Sequence, residues 1–162
     1  MSWRLAHVVL LAATVIAVAS PGVSEQDAAT AYLAGTWVLN PAKSKVPKKV
    51  VLDPETLVIK CAGDSIEVAT SSGGKQWLQM FIADGKEHTK DVGSGGQLYS
   101  KAQWKKSVLF TVVGSRVTGY SMGSFDVLTD KQRWSVSSDG LVLTREIEDP
   151  KKILVYDKQP VR

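Results

Sequence analysis

From Gly35 onward the chain is a succession of short apolar and β-branched segments, each closed within a few residues by a turn signal, usually one containing glycine. Segments this short cannot make helices long enough to bury a core, whereas paired strands can. Residues 57–61 (LVIKC), then Gly63-Asp64, then the alternating residues 66–70 (IEVAT) read as a hairpin. Residues 76–82 (QWLQMFI) form the next strand, closed by Asp84-Gly85, and residues 87–92 return. Gly93-Ser94-Gly95-Gly96 reads as a flexible loop. Residues 98–104, 108–113 and 116–122 follow as strands, the last two separated by Gly114-Ser115. Residues 132–136 and 141–147 flank Ser137-Ser138-Asp139-Gly140, and residues 153–157 close the series. The expectation is an all-β fold of about eight to ten antiparallel strands. Tight hairpins between nearly every successive pair favour an up-and-down β-barrel over a Greek-key sandwich, which needs long cross-connections.

The N-terminal part is different. Arg4 precedes an uninterrupted run of apolar and small residues over 8–19, and small residues stand at Ala17, Ala19, Gly22 and Ser24. A basic start, a short apolar stretch and a small-x-small site make a secretory signal peptide. The run is too short to span a bilayer, which takes about 20 apolar residues. Cleavage after Ala19 and cleavage after Ser24 both satisfy the pattern. Residues 1–24 are therefore expected to be a signal peptide and residues 25–162 one β-barrel domain, secreted or periplasmic, with no transmembrane segment in the mature chain. Residues 25–33 (EQDAATAYL) have helical composition and stop before Gly35, which predicts a short N-terminal helix.

At 162 residues the chain suits a single domain with its own core. Cys61 is the one cysteine, so no internal disulfide can form, and its apolar strand setting reads as a small buried hydrophobe. The net charge of +4 comes from scattered lysines, not the dense basic stripe of a nucleic-acid binder. Residues 40–54 (NPAKSKVPKKVVLDP) are the longest connection, rich in proline and lysine, and predict an extended loop at one barrel end. Lys43, Lys45, Lys48 and Lys49 in that loop could steer an acidic protein partner.

Catalytic and metal chemistry find little support. His88 is the one histidine after the signal segment, and His/Cys metal sites need several ligands. No G-x-S-x-G elbow occurs, and the glycine loop at 93–96 lacks a following G-K-[ST]. Glu146 and Glu148 share a strand face near a turn, where exposure is the simpler reading. The expectation is a protein that is not an enzyme and carries no metal or cofactor. The aromatic set is the more informative feature. Trp77, Tyr99, Trp104, Phe110, Tyr120, Trp134 and Tyr156 fall on predicted strands, Tyr99 and Trp104 on one and the others each on its own, and strand alternation sends each to one face. Inward ones either fill a small barrel or, with Met80 and Met122, line a pocket.

Gly35-Thr36-Trp37-Val38-Leu39-Asn40 places a G-x-W motif on the first strand behind a short helix, and the chain ends on Val155-Tyr156-Asp157-Lys158-Gln159 and three further residues. The layout resembles the calycin superfamily of lipocalins and fatty-acid-binding proteins. The longer GTWVLNPAKSK start and the VYDKQ end are similar to secreted lipocalin-like bacterial proteins. The resemblance implies that Trp37, entered through Gly35, plugs the closed end of a barrel beneath a stacked basic residue. Arg145, Lys158 and Arg162 are the candidates, the first two favoured by strand placement. Two departures stand out. The proline- and lysine-rich loop is unsuited to the helix-turn-helix lid of fatty-acid-binding proteins. The arginine those proteins place two residues before the last-strand tyrosine is here Leu154. The barrel pattern, the export signal and the aromatic set lead to the expectation of an exported barrel holding a small hydrophobic or amphipathic molecule, lined by Trp77, Met80, Tyr99, Trp104, Phe110, Tyr120, Met122 and Trp134. The alternative is a protein-interaction barrel with a filled core that works through its end loops. A His88-dependent enzyme is a third, weaker reading.

Overall fold

A computed structural model describes residues 25–119 and 123–160. The expected signal segment, Tyr120, Met122 and Arg162 lie outside the described residues. One helix, α1 (Glu25–Leu33), precedes ten strands. These are β1 (Gly35–Leu39), β2 (Glu55–Ala62), β3 (Ser65–Ser72), β4 (Lys75–Ile82) and β5 (Asp84–Gly93), followed by β6 (Gly96–Lys105), β7 (Val108–Gly119), β8 (Gly123–Val136), β9 (Val142–Ile147) and β10 (Lys152–Lys158).

Every pairing is antiparallel, and the order runs β4-β3-β2-β1-β10-β9-β8-β7-β6-β5. Successive strands are neighbours, and β1 meets β10, so the meander curls into a nearly closed up-and-down barrel. Its seam lies between β4 and β5, which follow each other in sequence but are not hydrogen-bonded as a ladder. Where β1 ends, the long loop continues its line: Lys45 exchanges backbone hydrogen bonds with Ile153 at 2.7 and 2.8 Å.

Alternation fixes what faces inward. Leu57 and Ile59 of β2 stand across from Thr70 and Val68 of β3, and Ile66 stands across from Phe81 of β4. On the other wall, Trp104, Leu109, Trp134, Arg145 and Leu154 form one cross-strand row through five strands. The buried core gathers Leu33, Trp37, Leu57, Ile66, Phe81, Leu109, Trp134, Leu143 and Tyr156. It fills the end of the barrel that α1 covers.

One stretch departs from the sequence expectation. Residues 108–113 and 116–122 are not two strands split by Gly114-Ser115. Val108–Gly119 is one strand, and it pairs with β8 along its length up to Gly119 across from Gly123. Gly114 is a packing position, not a turn: a Cβ there would overlap the Tyr99 ring and the Leu128 carbonyl. The first half of β8 therefore pairs where no strand was expected.

Candidate functional site

The closed end is built on Trp37. Its indole Nε1 donates to the Leu33 carbonyl at 2.9 Å, which ties the plug to the last turn of α1. Lys158, across the ladder from Trp37, sets its ammonium 4.9 Å over the indole ring and donates to the Tyr32 carbonyl at 3.0 Å. Gly35 has φ +139°, and a Cβ there would come within 2.9 Å of Lys158 Cε. Of the expected plug group, Gly35, Trp37 and Lys158 meet. Arg145 does not join them; its guanidinium stacks 4.7 Å over Trp134 further up the barrel.

Above the apolar plug lies a connected set of inward polar groups. Tyr156 OH donates to Glu55 Oε1 at 2.6 Å. Arg145 Nη1 is 3.7 Å from the same carboxylate, both side chains being largely buried. Arg145 Nε donates to Gln132 Oε1 at 2.9 Å, and Gln132 Nε2 donates to Asp130 Oδ2 at 2.5 Å. Beside this chain, Trp134 Nε1 donates to Thr111 Oγ1 at 3.0 Å. Asp130 Oδ1 is shielded from solvent and has no hydrogen-bond partner among the described residues. Burial pushes the Tyr156 hydroxyl well above the usual tyrosine range, so it stays a donor.

Toward the open end the inward faces meet solvent and mix apolar with polar side chains. Leu128, Ser115, Leu98 and Lys90 make the next inward row above Asp130, followed by Phe125 and Val117. Leu98, Phe125 and Leu128 are 48%, 50% and 66% exposed, and Trp77, inward on β4, is 43% exposed. A cleft of about 400 Å³ opens at the seam, lined by Leu78, Met80, Phe81, Leu98, Tyr99 and Val113 among others. That volume falls in the usual range of small-molecule sites.

The candidate lining residues separate by face. Trp77, Trp104 and Trp134 point inward. Tyr99 and Phe110 do not. Tyr99 shares the outer face with Arg116, whose guanidinium lies 4.8 Å over its ring while pairing with Glu87 and Asp126 at 2.8 and 2.9 Å. Its hydroxyl bonds Thr129 at 2.8 Å and Asp126 at 3.2 Å. Phe110 lies on the outer face between Lys105 and Arg133, at 5.2 and 5.5 Å. Cations cover both rings, which is how an outward aromatic escapes water without facing the core. Met80 is outward on the β4 edge and reaches the seam cleft.

Other singled-out residues take ordinary places. His88 sits near the seam with Nε2 3.1 Å from Asp84 Oδ1. Among the described residues no group of His, Cys, Asp and Glu is arranged to hold a metal ion. Cys61 shares an inward row with Ile66 and Phe81, and burial pushes its thiol up, toward the unreactive protonated form. Glu146 and Glu148 lie within ion-pair distance of Arg133 and Lys131, at 3.4 and 4.0 Å. Lys43 bonds Asp157, while Lys45, Lys48 and Lys49 are exposed. No described helix is long and apolar enough to cross a membrane. Glu55, Gln132 and Asp130 were not singled out from sequence. Counting back by twos from Trp134 would have placed Gln132 and Asp130 on its face.

With this geometry the fold has recognisable structural neighbours. The barrel superposes on the REP1-NXSQ fatty acid transporter with a TM-score of 0.57 at 18% identity, covering 82% of this chain and 99% of that one. Human cRBP IV gives 0.54 at 16% identity over 78% and 98%. Caenorhabditis elegans lipid binding protein 8, in its apo form, gives 0.55 at 12% identity over 80% and 96%. The chain shares the barrel fold of these proteins. No protein-family model matches the sequence, and no curated protein does.

Proposed function

We propose that this chain is an exported, non-catalytic barrel that binds a small hydrophobic or amphipathic molecule, working outside the cytoplasm after its signal peptide is removed. One observation carries the binding reading. The inner wall is solid at the α1 end, but its upper rows leave Leu98, Phe125, Leu128 and Trp77 open to solvent above a buried polar set. Apolar walls with a few converging polar groups are the usual make-up of a small-molecule site. The structural neighbours are described as a fatty acid transporter and a lipid binding protein, and that supports the same reading. The export reading rests on the sequence of residues 1–24 alone.

The test is direct. Protein purified from the envelope or medium is extracted with organic solvent and the extract examined by mass spectrometry. The delipidated protein is then titrated with a lipophilic fluorescent dye. Saturable dye uptake that Trp77→Ala or Leu128→Ser weakens is expected. No uptake by a folded protein would remove the binding reading. N-terminal sequencing of the exported form checks the cleavage site.

The exposed Lys45, Lys48 and Lys49 favour a second reading, in which the loop docks an acidic protein partner. Replacing these three lysines with alanine would abolish capture of such a partner while leaving dye uptake intact.

A further inference from the structure

Resting on the binding reading above, we propose that the barrel selects ligands whose polar end donates hydrogen bonds, an alcohol or an amine, and disfavours free carboxylic acids. The inner polar chain has a direction. Tyr156 donates to Glu55, Arg145 donates to Gln132, and Gln132 donates to Asp130. Tyr156 OH, Arg145 Nε and Gln132 Nε2 each have an acceptor within the protein, and Arg145 Nη1 faces Glu55 at 3.7 Å. What remains at the end of the inner polar chain is an acceptor, Asp130 Oδ1, shielded and without a partner among the described residues. An ionised carboxylate offers only acceptors and cannot complement it, whereas a hydroxyl or an ammonium can. A shielded carboxylate oxygen left without a donor is costly, so a ligand that supplies one gains what the free protein lacks.

The space between Tyr156 and Arg145 is itself occupied. Leu154, two residues before the last-strand tyrosine, stands directly across the ladder from Arg145. The arginine is thus delivered to the interior from β9, close to Tyr156. Between them already sits Glu55, 2.6 Å from the Tyr156 hydroxyl and 3.7 Å from Arg145 Nη1. Glu55 already lies against that guanidinium, so an entering carboxylate would have to displace it. A hydroxyl head meets no such opposition. It arrives from the mouth, one row above Asp130, past Leu128 and Leu98.

The experiment uses three probes of one chain length: dodecanoic acid, dodecanol and dodecylamine, each competed against a lipophilic dye on the delipidated protein. The alcohol or the amine is expected to bind at least about tenfold tighter than the acid. Amine over alcohol would mark recognition of the Asp130 charge; alcohol over amine would mark the hydrogen bond alone. Asp130→Asn is expected to erase the preference. Glu55→Gln is expected to raise affinity for the acid by freeing Arg145. Equal or tighter binding of the acid by the unaltered protein overturns the proposal and leaves the binding reading standing. Failure of all three probes and of the dye removes both. Thermal melts of each variant separate loss of preference from loss of fold.

Discussion

The Lys158 ammonium stands 4.9 Å over the Trp37 ring, and the stem that carries it runs across the face of Gly35. Closure of the barrel is therefore a three-residue device, with α1 locked to it through the Leu33 and Tyr32 carbonyls. Gly35→Ala would both place a side chain against Lys158 Cε and force φ +139° on a residue with a Cβ. A loss of about 1–3 kcal/mol is expected, read from urea midpoints. Lys158→Met keeps the stem and removes the charge, and should cost less, about 0.5–1 kcal/mol. If the methionine variant were the weaker of the two, the charge would be the main tie and the glycine incidental.

Tyr156 makes alkaline stability testable. Its hydroxyl is held above the ordinary tyrosine value of 10.0, first by burial and also by the adjoining Glu55 carboxylate, with Arg145 opposing. Below pH 10 the phenol is protonated in both folded and unfolded chains. Above it the unfolded chain releases a proton that the folded chain retains, so stability falls with rising pH. Tyr156→Phe removes that slope. Around neutral pH it costs about 1–3 kcal/mol, because Glu55 Oε1 loses its donor. Denaturation curves from neutral to alkaline pH for the two proteins should converge as pH climbs.

Asp157 governs the acid side in the same way. The Lys43 ammonium, and next the Asn40 amide, hold its carboxyl below the ordinary 3.8. The stability this gives is present above that value and is lost as pH falls through the lowered one. The lost contact is local: Asp157 pins both ends of the turn that starts the long loop, at 2.6 Å to Asn40 and 2.8 Å to Lys43. Asp157→Asn should speed hydrogen exchange at the Lys45 amide, which donates to Ile153. It should also flatten the acid limb of the stability curve. Unchanged exchange would show that the loop is held from elsewhere.

The hairpins were legible because their turns carry glycine where the backbone needs it. Gly63 and Gly140 have φ of 57° and 73°, and strands flank each of their turns as the alternation predicts. Gly114 was misread because glycine also marks close approach, and sequence alone does not distinguish the two uses. The inward position of Trp134 followed from a closed barrel. The outward position of Tyr99 was available in its register, since Lys101, Gln103 and Lys105 share its face at steps of two. Phe110 was not readable: Val108 and Val112 on its own face and Leu109 and Val113 on the other are equally apolar. The inner polar chain was hidden for the opposite reason. In β8 both faces are polar, Asp130 and Gln132 on one and Lys131 and Arg133 on the other, and only Trp134 shows which turns in.

The extended ends of β7 and β8 give the last prediction. They rise past the core, so they depend on the outer-face contact in which Arg116 lies over Tyr99 and joins Glu87 to Asp126. Gly114 is the space beneath that ring. Gly114→Ala would overlap both the Tyr99 side chain and the Leu128 carbonyl, so moving the ring alone cannot relieve it. A loss of about 1–3 kcal/mol is expected, as for other overpacked positions. Adding Tyr99→Leu should recover only part of it, because the backbone overlap on β8 persists. Damage should concentrate above Gly114, seen as faster proteolysis near the β7–β8 hairpin with the Trp37 end still protected from exchange. Full rescue by Tyr99→Leu would assign the whole effect to the ring and leave the β7–β8 backbone approach without a role.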